Sequence, residues 1–98
     1  MSLPLDFHPF VRDEINDAYE WYERRRIGLG VDYLNEVERV LAEISSNPAR
    51  YGFVEADVRE GMLKRFPYAI YYRVMTDRIR VLAVYHTSRA PSGWKRRV

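Results

Sequence analysis

Hydrophobic and polar positions follow two different periods along the chain, which divide it into a helical first half and a strand-rich second half. The short alternating stretch LDFHPF predicts a first strand that closes at Pro9. From Pro9 to about Arg26 the apolar residues take helical spacing, while the acidic residues face away. This apolar stripe consists of Val11, Ile15, Ala18 and Tyr22. A strand followed by an amphipathic helix is therefore expected at the start of the chain.

A second helix is predicted from about Leu29 to Ser46, because apolar residues again recur at helical spacing and Pro48 disfavours a helical residue before it. Its apolar stripe consists of Leu34, Val37, Leu41 and Ile44. Gly28 ends the first helix, and the sequence IGLG joins the two helices in an antiparallel hairpin. Trp21 and Tyr33 also fall at helical spacing and are expected in the core.

The rest of the chain predicts strands. The segment ADVREGMLKRFPYAIYYRVMTDRIRVLAVYH contains three β-rich runs, divided at Pro67 and at Thr76-Asp77. The predicted order is β-α-α-β-β-β, which belongs to the α+β class. We expect one domain, residues 1–98, with the helical hairpin packed on one face of an antiparallel sheet.

The last two strands form a hairpin whose register follows from its turn. With Thr76-Asp77 as a two-residue turn, Met75 faces Arg78 and Arg73 faces Arg80. One face of the hairpin is then wholly apolar or aromatic, and both helices are expected to cover it. This face consists of Ile70, Tyr72, Val74, Ile79, Val81, Ala83 and Tyr85. The other face is mixed and basic, and is expected to stay uncovered; it consists of Ala69, Tyr71, Arg73, Arg78, Arg80, Leu82, Val84 and His86.

Charge is distributed unevenly along the chain, although the net charge is only +2. Residues 1–58 carry a balance of −6, and residues 59–98 carry a balance of +8. A field segregated in this way attracts polyanions or an acidic protein to one side. Arginines placed face to face also destabilise a strand pair, which an anion or a neighbouring acid relieves. The uncovered basic face is therefore interpreted as a binding surface for an anionic or acidic partner.

Composition excludes several other classes of protein. The chain has no cysteine, which rules out disulfides and thiolate metal sites and is typical of the reducing cytoplasm. Its two histidines lie far apart, so neither a metal nor a cofactor is expected. No apolar run is long enough to cross a bilayer, so we expect a cytoplasmic protein with no membrane partner.

Catalytic motifs are scarce. The sequence contains no Ser-His-Asp set, no glycine-rich phosphate loop and no paired carboxylates in its basic half. The remaining groups able to do chemistry are His86 and Arg89, in combination with Arg73, Arg80, Lys64 or Tyr71. Such groups can orient a ribose hydroxyl, stabilise a pentavalent phosphate and protonate a leaving oxygen.

Several stretches together resemble the RelE/ParE toxin superfamily of bacterial toxin–antitoxin and plasmid-stabilisation systems. They are LKRFPYAIYYRV, IRVLAVYHTSRAPSGWKRR, AYEWYERRRIGLG and NPARYG. The combination of RFPY with H-x-x-R-x-P-x-x-W resembles the ParE-like members of the superfamily more than the RelE-like members. The resemblance implies a growth-arresting toxin held inactive by an acidic antitoxin, whose extended C-terminal segment wraps the helices and the sheet. ParE-like members block DNA gyrase by protein–protein binding, whereas RelE-like members cut messenger RNA on the ribosome.

The resemblance also implies roles for individual residues. Arg89 matches a family catalytic arginine, and His86 resembles a histidine that some nuclease members use. Trp94 or Lys95 stands near the position of a catalytic aromatic residue, but the family's strand arginine falls at Ala69. The ParE-like reading, with DNA gyrase as the target, is therefore preferred. Its expected binding surface is Tyr71, Arg73, Arg80, His86, Arg89, Trp94, Lys95, Arg96 and Arg97.

Two alternatives stay open from the sequence. One is a ribosome-dependent messenger-RNA endonuclease, with the ribosome and messenger RNA as partners and with Arg73, His86 and Arg89 as its catalytic residues. The other is a member of the superfamily that still binds an antitoxin but no longer poisons any target.

Overall fold

The computed structural model describes residues 2–89 and 92–98 of the chain. Its elements in chain order are β1 (Leu5–Phe7), α1 (Val11–Arg25), α2 (Leu29–Ser46), β2 (Phe53–Glu55), β3 (Val58–Met62), β4 (Tyr68–Val74), β5 (Ile79–His86) and α3 (Ser92–Lys95). The strands form one sheet in the order β1-β5-β4-β3-β2. The predicted α+β class, with a helical hairpin packed on a mostly antiparallel sheet, is confirmed.

Three details of the architecture differ from the prediction. β1 pairs with β5 in parallel, whereas the other neighbouring strands are antiparallel. A short edge strand, β2, precedes β3; all three of its residues are exposed, so it has no buried face that would give an alternating pattern. The C-terminal segment adds the four-residue helix α3. None of the helices in the described ranges is long and apolar enough to cross a membrane.

Both long helices bury their predicted stripes. Val11, Ala18 and Tyr22 of α1 pack with Val37 and Ile44 of α2 in one apolar cluster. Ile15, Leu34 and Leu41 lie partly buried at its margin, and Tyr33 is fully buried as expected. The prediction for Trp21 is wrong, because this side chain is 48% exposed, with the Arg25 guanidinium 4.0 Å from the centre of its ring.

The tip of the helical hairpin is held by one carboxylate. Glu23 accepts hydrogen bonds from the backbone N–H groups of Gly28 and Gly30, both at 2.9 Å. Such groups at the start of a helix lack partners within the helix, and Glu23 supplies them for α2. Gly28 itself has a φ of +90°, in the left-handed region that disfavours residues with a Cβ.

We expect Gly28→Ala to lower the free energy of unfolding by about 1–2 kcal/mol, because an L-residue is strained in this conformation. An added Cβ would contact nothing within 4 Å, so the loss of stability would come from backbone strain alone. Urea denaturation measures the change. Gly52→Ala is the matched control, since Gly52 also lies in open space but has no left-handed φ. An equal loss in both variants would contradict this account of the turn.

The hairpin of β4 and β5 has the predicted register next to its turn. Arg73 pairs with Arg80, and the Met75 N–H donates to the Arg78 carbonyl at 2.8 Å. Farther from the turn the register shifts, because Tyr72 pairs with Val81 but Tyr71 pairs with Ala83. Leu82 is thus an extra residue, a β-bulge, and the alternation of side chains changes phase there.

The bulge changes which face several side chains occupy. Ala83 and Tyr85 were predicted beneath the helices, but they pack on the opposite face of the sheet. Val84 was predicted on that opposite face, but it packs with the helices, and His86 lies on the helix side opposite Tyr68. Val74 was predicted to be buried, yet it is 42% exposed at the end of β4.

The sheet therefore has an apolar layer on each side. The layer beneath the helices includes Ile70, Tyr72, Ile79 and Val81, as predicted. The face away from α1 and α2, here called the distal face, carries Val58, Ala69, Tyr71, Leu82, Ala83 and Tyr85, all buried. Trp94 of α3 joins this second layer and is only 2% exposed. The expectation that the distal face stays uncovered is wrong in its centre, because the C-terminal segment packs there.

Candidate functional site

Each arginine of the cross-strand pair has its own carboxylate. Arg73 Nη2 lies 2.9 Å from Asp57 Oδ2, and Arg80 Nη1 lies 2.7 Å from Asp6 Oδ2. Arg78 also approaches Asp6, at 3.6 Å. The hydrogen bond from Arg73 holds the pKa of Asp57 below its usual range. Internal acids thus relieve the repulsion between the two guanidinium groups, and an external anion is not needed to do so.

Two aromatic residues expected on the binding surface are core residues. The Tyr71 and Trp94 rings stack with centroids 5.4 Å apart and an angle of 20° between their planes. Burial raises the pKa of Tyr71, and its hydrogen bond with Glu60 raises it further. Gly93 is needed beside them, since an added Cβ would collide with the Tyr85 hydroxyl. The contribution of Tyr71 and Trp94 is therefore to fix α3 on the distal face.

The three cations near the C-terminus have different environments. Lys95 Nζ makes an exposed ion pair with Glu55 Oε2, at 3.0 Å. Arg97 Nη2 lies 2.8 Å from Glu14 Oε2, and its Nη1 donates to the Leu82 carbonyl at 2.9 Å. The Arg97 and Glu14 side chains are only 9% and 12% exposed. Arg96 is exposed and pairs with no acid of the described chain.

A groove of about 620 Å³ lies between α1 and the adjoining ends of β4 and β5. His86 and Arg89 line it together with Tyr68. His86 Nδ1 accepts the backbone N–H of Ser88 at 3.1 Å, and the Ser88 hydroxyl oxygen lies 2.8 Å from the same nitrogen. The Arg89 guanidinium lies 3.9 Å from the centre of the Tyr85 ring. His86 and Arg89 are thus brought together, at the mouth of this groove.

The three candidate nuclease residues are not assembled in one site. His86 lies on the helix side opposite Tyr68, whereas Arg73 lies on the distal face. Tyr68 and Arg73 are at opposite ends of β4, roughly 16 Å apart at about 3.3 Å per residue. Ala69, where the family's strand arginine would fall, is fully buried. Lys64 lies elsewhere, in a pocket with Glu36 and Arg39.

Glu14 and Asp17 also line the groove, although the sequence pattern predicts that the acidic residues of α1 face away; for Glu14, which is only 12% exposed, that prediction is wrong. Glu14 is three residues after Val11 and four before Ala18, so it falls within the inward stripe of α1. An acid in that position indicates a buried partner, which the structure shows to be Arg97. Among residues 2–89 and 92–98, no cluster of three or more acids and histidines has the arrangement of a metal site.

The comparisons with known proteins agree with this fold. A solved structure titled "Chromosomal ParDE TA system from P. aeruginosa" superposes with a TM-score of 0.76 at 13% identity, covering 87% of this chain and 96% of that one. No curated protein sequence matches significantly. Ala90 and Pro91 of the H-x-x-R-x-P-x-x-W motif lie outside the described residues.

One family model matches most of the sequence of the chain. The model of the ParE toxin of the type II toxin–antitoxin system parDE matches residues 5–91, from the first strand to beyond the last one. The resemblance inferred from the motifs is thereby confirmed on its ParE-like side. The chain belongs to the ParE toxin family of type II toxin–antitoxin systems.

Proposed function

We propose that this toxin acts by binding a protein target, DNA gyrase, and that an acidic antitoxin neutralises it. The observation that carries the choice of binding over RNA cleavage is the separation of Arg73 from His86 on opposite faces of the sheet. Cleavage requires its acid, base and phosphate-binding groups within about an ångström of their working positions. A protein inhibitor requires only a complementary surface.

The proposed target surface is formed by the exposed cations of the C-terminal region. Arg89 and Arg96 are exposed, and Lys95, next to Arg96 in the chain, forms a solvent-exposed ion pair with Glu55. Arginine is favoured in protein interfaces because its planar guanidinium binds carboxylates and stacks on rings. Arg73 and Arg80 are left out of this surface, because their ion-paired side chains are only 31% and 30% exposed, whereas that of Lys95 is 48% exposed.

A different region suits the antitoxin. An apolar groove of about 460 Å³ lies along α1 and α2, with Phe7, Ile15 and Leu41 among the residues that line it. Phe10 nearby in the chain is 58% exposed. A segment that places apolar side chains in this groove and acidic ones against the basic C-terminal half would match both surfaces of the toxin.

Purified toxin is expected to inhibit supercoiling by gyrase, and Arg89→Glu with Arg96→Glu is expected to weaken this inhibition at least about tenfold, which is 1.4 kcal/mol of binding free energy. The matched control is Arg24→Glu with Arg26→Glu, which makes the same change in net charge on exposed residues of the helical hairpin. This control should change inhibition less than about twofold. Circular dichroism and thermal melting verify that both variants fold.

Three results would contradict the proposal. Equal losses in the two double variants would mean that only net charge matters. Cleavage of translated messages without any effect on supercoiling would favour the endonuclease. Normal growth during expression of the chain alone, with soluble folded protein present, would mean that the toxic activity has been lost.

A further inference from the structure

The loop between β3 and β4 places one arginine in an unusual backbone conformation. Arg65 has a φ of +70°, in the left-handed region where a residue with a Cβ is strained. The loop around it is fixed, because the Leu63 N–H donates to the Tyr68 carbonyl at 3.0 Å and the Tyr68 N–H donates to the Phe66 carbonyl at 2.8 Å. Glycine adopts a left-handed φ without this cost. The turn itself therefore does not explain why its residue is an arginine.

The Arg65 side chain is largely exposed beside the tip of the helical hairpin. It is 64% exposed, and its Nη2 lies 3.7 Å from Oδ2 of Asp32, in the first turn of α2. The same Asp32 oxygen lies 3.9 Å from Nη2 of Arg26, which is 63% exposed. Charge-assisted hydrogen bonds are shorter than either distance, at about 2.7–2.9 Å. One carboxylate is thus shared loosely between two guanidinium groups, and neither has a second acid among the described residues.

A polar pocket of about 260 Å³ lies beside Arg65, between α2 and the loop. Its second acid, Glu36, is already satisfied, because both of its oxygens accept hydrogen bonds from Arg39 at 2.7 Å and one also accepts the Lys64 N–H. The hydrogen bond from Arg39 holds the pKa of Glu36 below its usual range, so this carboxylate stays ionised and paired at neutral pH. Lys64 itself is exposed, and its ammonium pairs with no acid in the described ranges.

The charges of this region do not cancel. Arg26, Lys64 and Arg65 carry three positive charges against the single negative charge of Asp32, so the excess is two. The other nearby charges are balanced, with four acids and four arginines. They are Glu20, Glu23, Glu36 and Glu43, with Arg24, Arg25, Arg39 and Arg50. The excess attracts an anionic group to the side chains that share Asp32.

An apolar side chain lies at the same tip. Ile27 follows Arg26 in the turn between α1 and α2 and is 90% exposed, more than any other large hydrophobic residue of the described chain. An excess of two charges is small for a nucleic-acid site, since proteins that bind nucleic acid typically contact about 6–10 phosphates. A protein segment fits better, because it can bury an apolar side chain against Ile27 and present carboxylates to the arginines.

We propose that Arg26, Ile27, Lys64 and Arg65, here called the tip surface, bind an acidic extended segment of a protein partner. A carboxylate of the segment binds the Arg65 guanidinium in a bidentate pair, which the planar fork of arginine favours. The left-handed φ of Arg65 is then the structural cost of holding its guanidinium beside Arg26. The tip surface does not include the cations proposed to bind the toxin's target, so this proposal does not depend on the identity of that target.

The test is a selection of random ten-residue peptides displayed on phage against the full-length chain. The expected binders carry Asp or Glu together with an apolar residue, and they bind Arg65→Gly at least about tenfold more weakly. Arg78→Gly is the matched control, because Arg78 is also an exposed arginine between two strands, with its Nε 3.6 Å from an Asp6 oxygen. This control should change affinity less than about twofold. Ile27→Ser should weaken binding at least about threefold, since the apolar contact is lost.

Stability separates a binding role of Arg65 from a structural one. Because glycine relieves the left-handed strain, Arg65→Gly should melt at a temperature at least as high as that of the unaltered chain. Arg65→Asn is a second variant that tolerates this conformation, and it should bind the peptides as weakly as the glycine variant. Weaker binding in these two variants is then assigned to the missing guanidinium and not to unfolding.

Four results would overturn the proposal. A melting temperature of Arg65→Gly more than about 5 °C below that of the unaltered chain would mean that the arginine stabilises the loop. Equal losses of affinity in the Arg65 and Arg78 glycine variants would mean that only net charge matters. Enriched peptides that are basic, or whose binding does not depend on Arg65, would exclude an acidic segment at this site. Tighter binding of a ten-nucleotide oligothymidine that depends on Arg65 would assign the tip surface to nucleic acid.

Discussion

Replacing Trp94 by alanine will lower the free energy of unfolding by about 3 kcal/mol, the lower end of the range for large buried aromatic residues. Trp94 is 2% exposed and stacks on Tyr71, so its removal leaves the centre of the distal face without its cover. The total stability of a domain of this size is only about 5–15 kcal/mol. Urea denaturation measures the loss, and the melting temperature should fall by more than about 10 °C.

The chain's other tryptophan provides the control. Trp21 is 48% exposed, and Trp21→Ala should cost less than about 1 kcal/mol. Because the chain has only these two tryptophans, each variant also isolates one fluorophore. The emission of Trp94 should be at shorter wavelength than that of Trp21. Equal stability of the two alanine variants would mean that α3 contributes nothing to the fold in solution.

Replacing Arg97 by methionine will cost about 3 kcal/mol, because it leaves the Glu14 carboxylate nearly buried without its cation. Glu14→Gln in the same chain should recover much of this loss, since the amide oxygen can still accept the Val84 N–H. A double-mutant cycle measures the coupling energy between the two side chains. Methionine keeps the length of the aliphatic stem, so that the charge is the main change.

The ion pair between Lys95 and Glu55 serves as the comparison. Both side chains are about half exposed, and Lys95→Met should cost less than about 1 kcal/mol, with a smaller effect still at high salt. The coupling between Arg97 and Glu14 should change little with salt. A coupling energy near zero, or one that disappears at high salt, would show that the C-terminus is not held in this way.

Most of the fold could be predicted from local pattern. The apolar stripe of α2 and Pro48 placed its ends at the residues that the structure gives. The two-residue turn after Met75 fixed the pairing of Arg73 with Arg80. These features depend on residues close in sequence, where spacing and turn chemistry are informative.

The bulge could not be predicted, for a physical reason. Leu82, Ala83 and Val84 are all apolar, and both faces of β5 are buried, so no polar residue marks the point where the alternation changes phase. For this reason the sequence pattern predicts the wrong faces of the sheet for Tyr85 and His86. The predicted shape of the candidate site is therefore wrong as well.

The remaining errors concern contacts between residues far apart in the chain. The pairing of Arg80 with Asp6 and of Arg73 with Asp57 depends on strand order and on a loop that sequence spacing does not specify. The position of Trp94 could not be predicted from the sequence either, since a helix of four residues is too short to show a hydrophobic period. A tryptophan after a glycine in a basic tail gives no indication that it packs on the far side of the sheet.

The extra residue at Leu82 sets the phase of the second half of β5. Deletion of that residue would remove the bulge and leave the Tyr85 phenol on the distal face and His86 on the helix side, because Val81 and Ala83 already pair with the adjacent residues Tyr72 and Tyr71. The residues near Arg80 and those near His86 thus belong to two separately phased segments. Redesign of the cations at the turn can therefore proceed without altering how the far end of the same strand faces its surroundings.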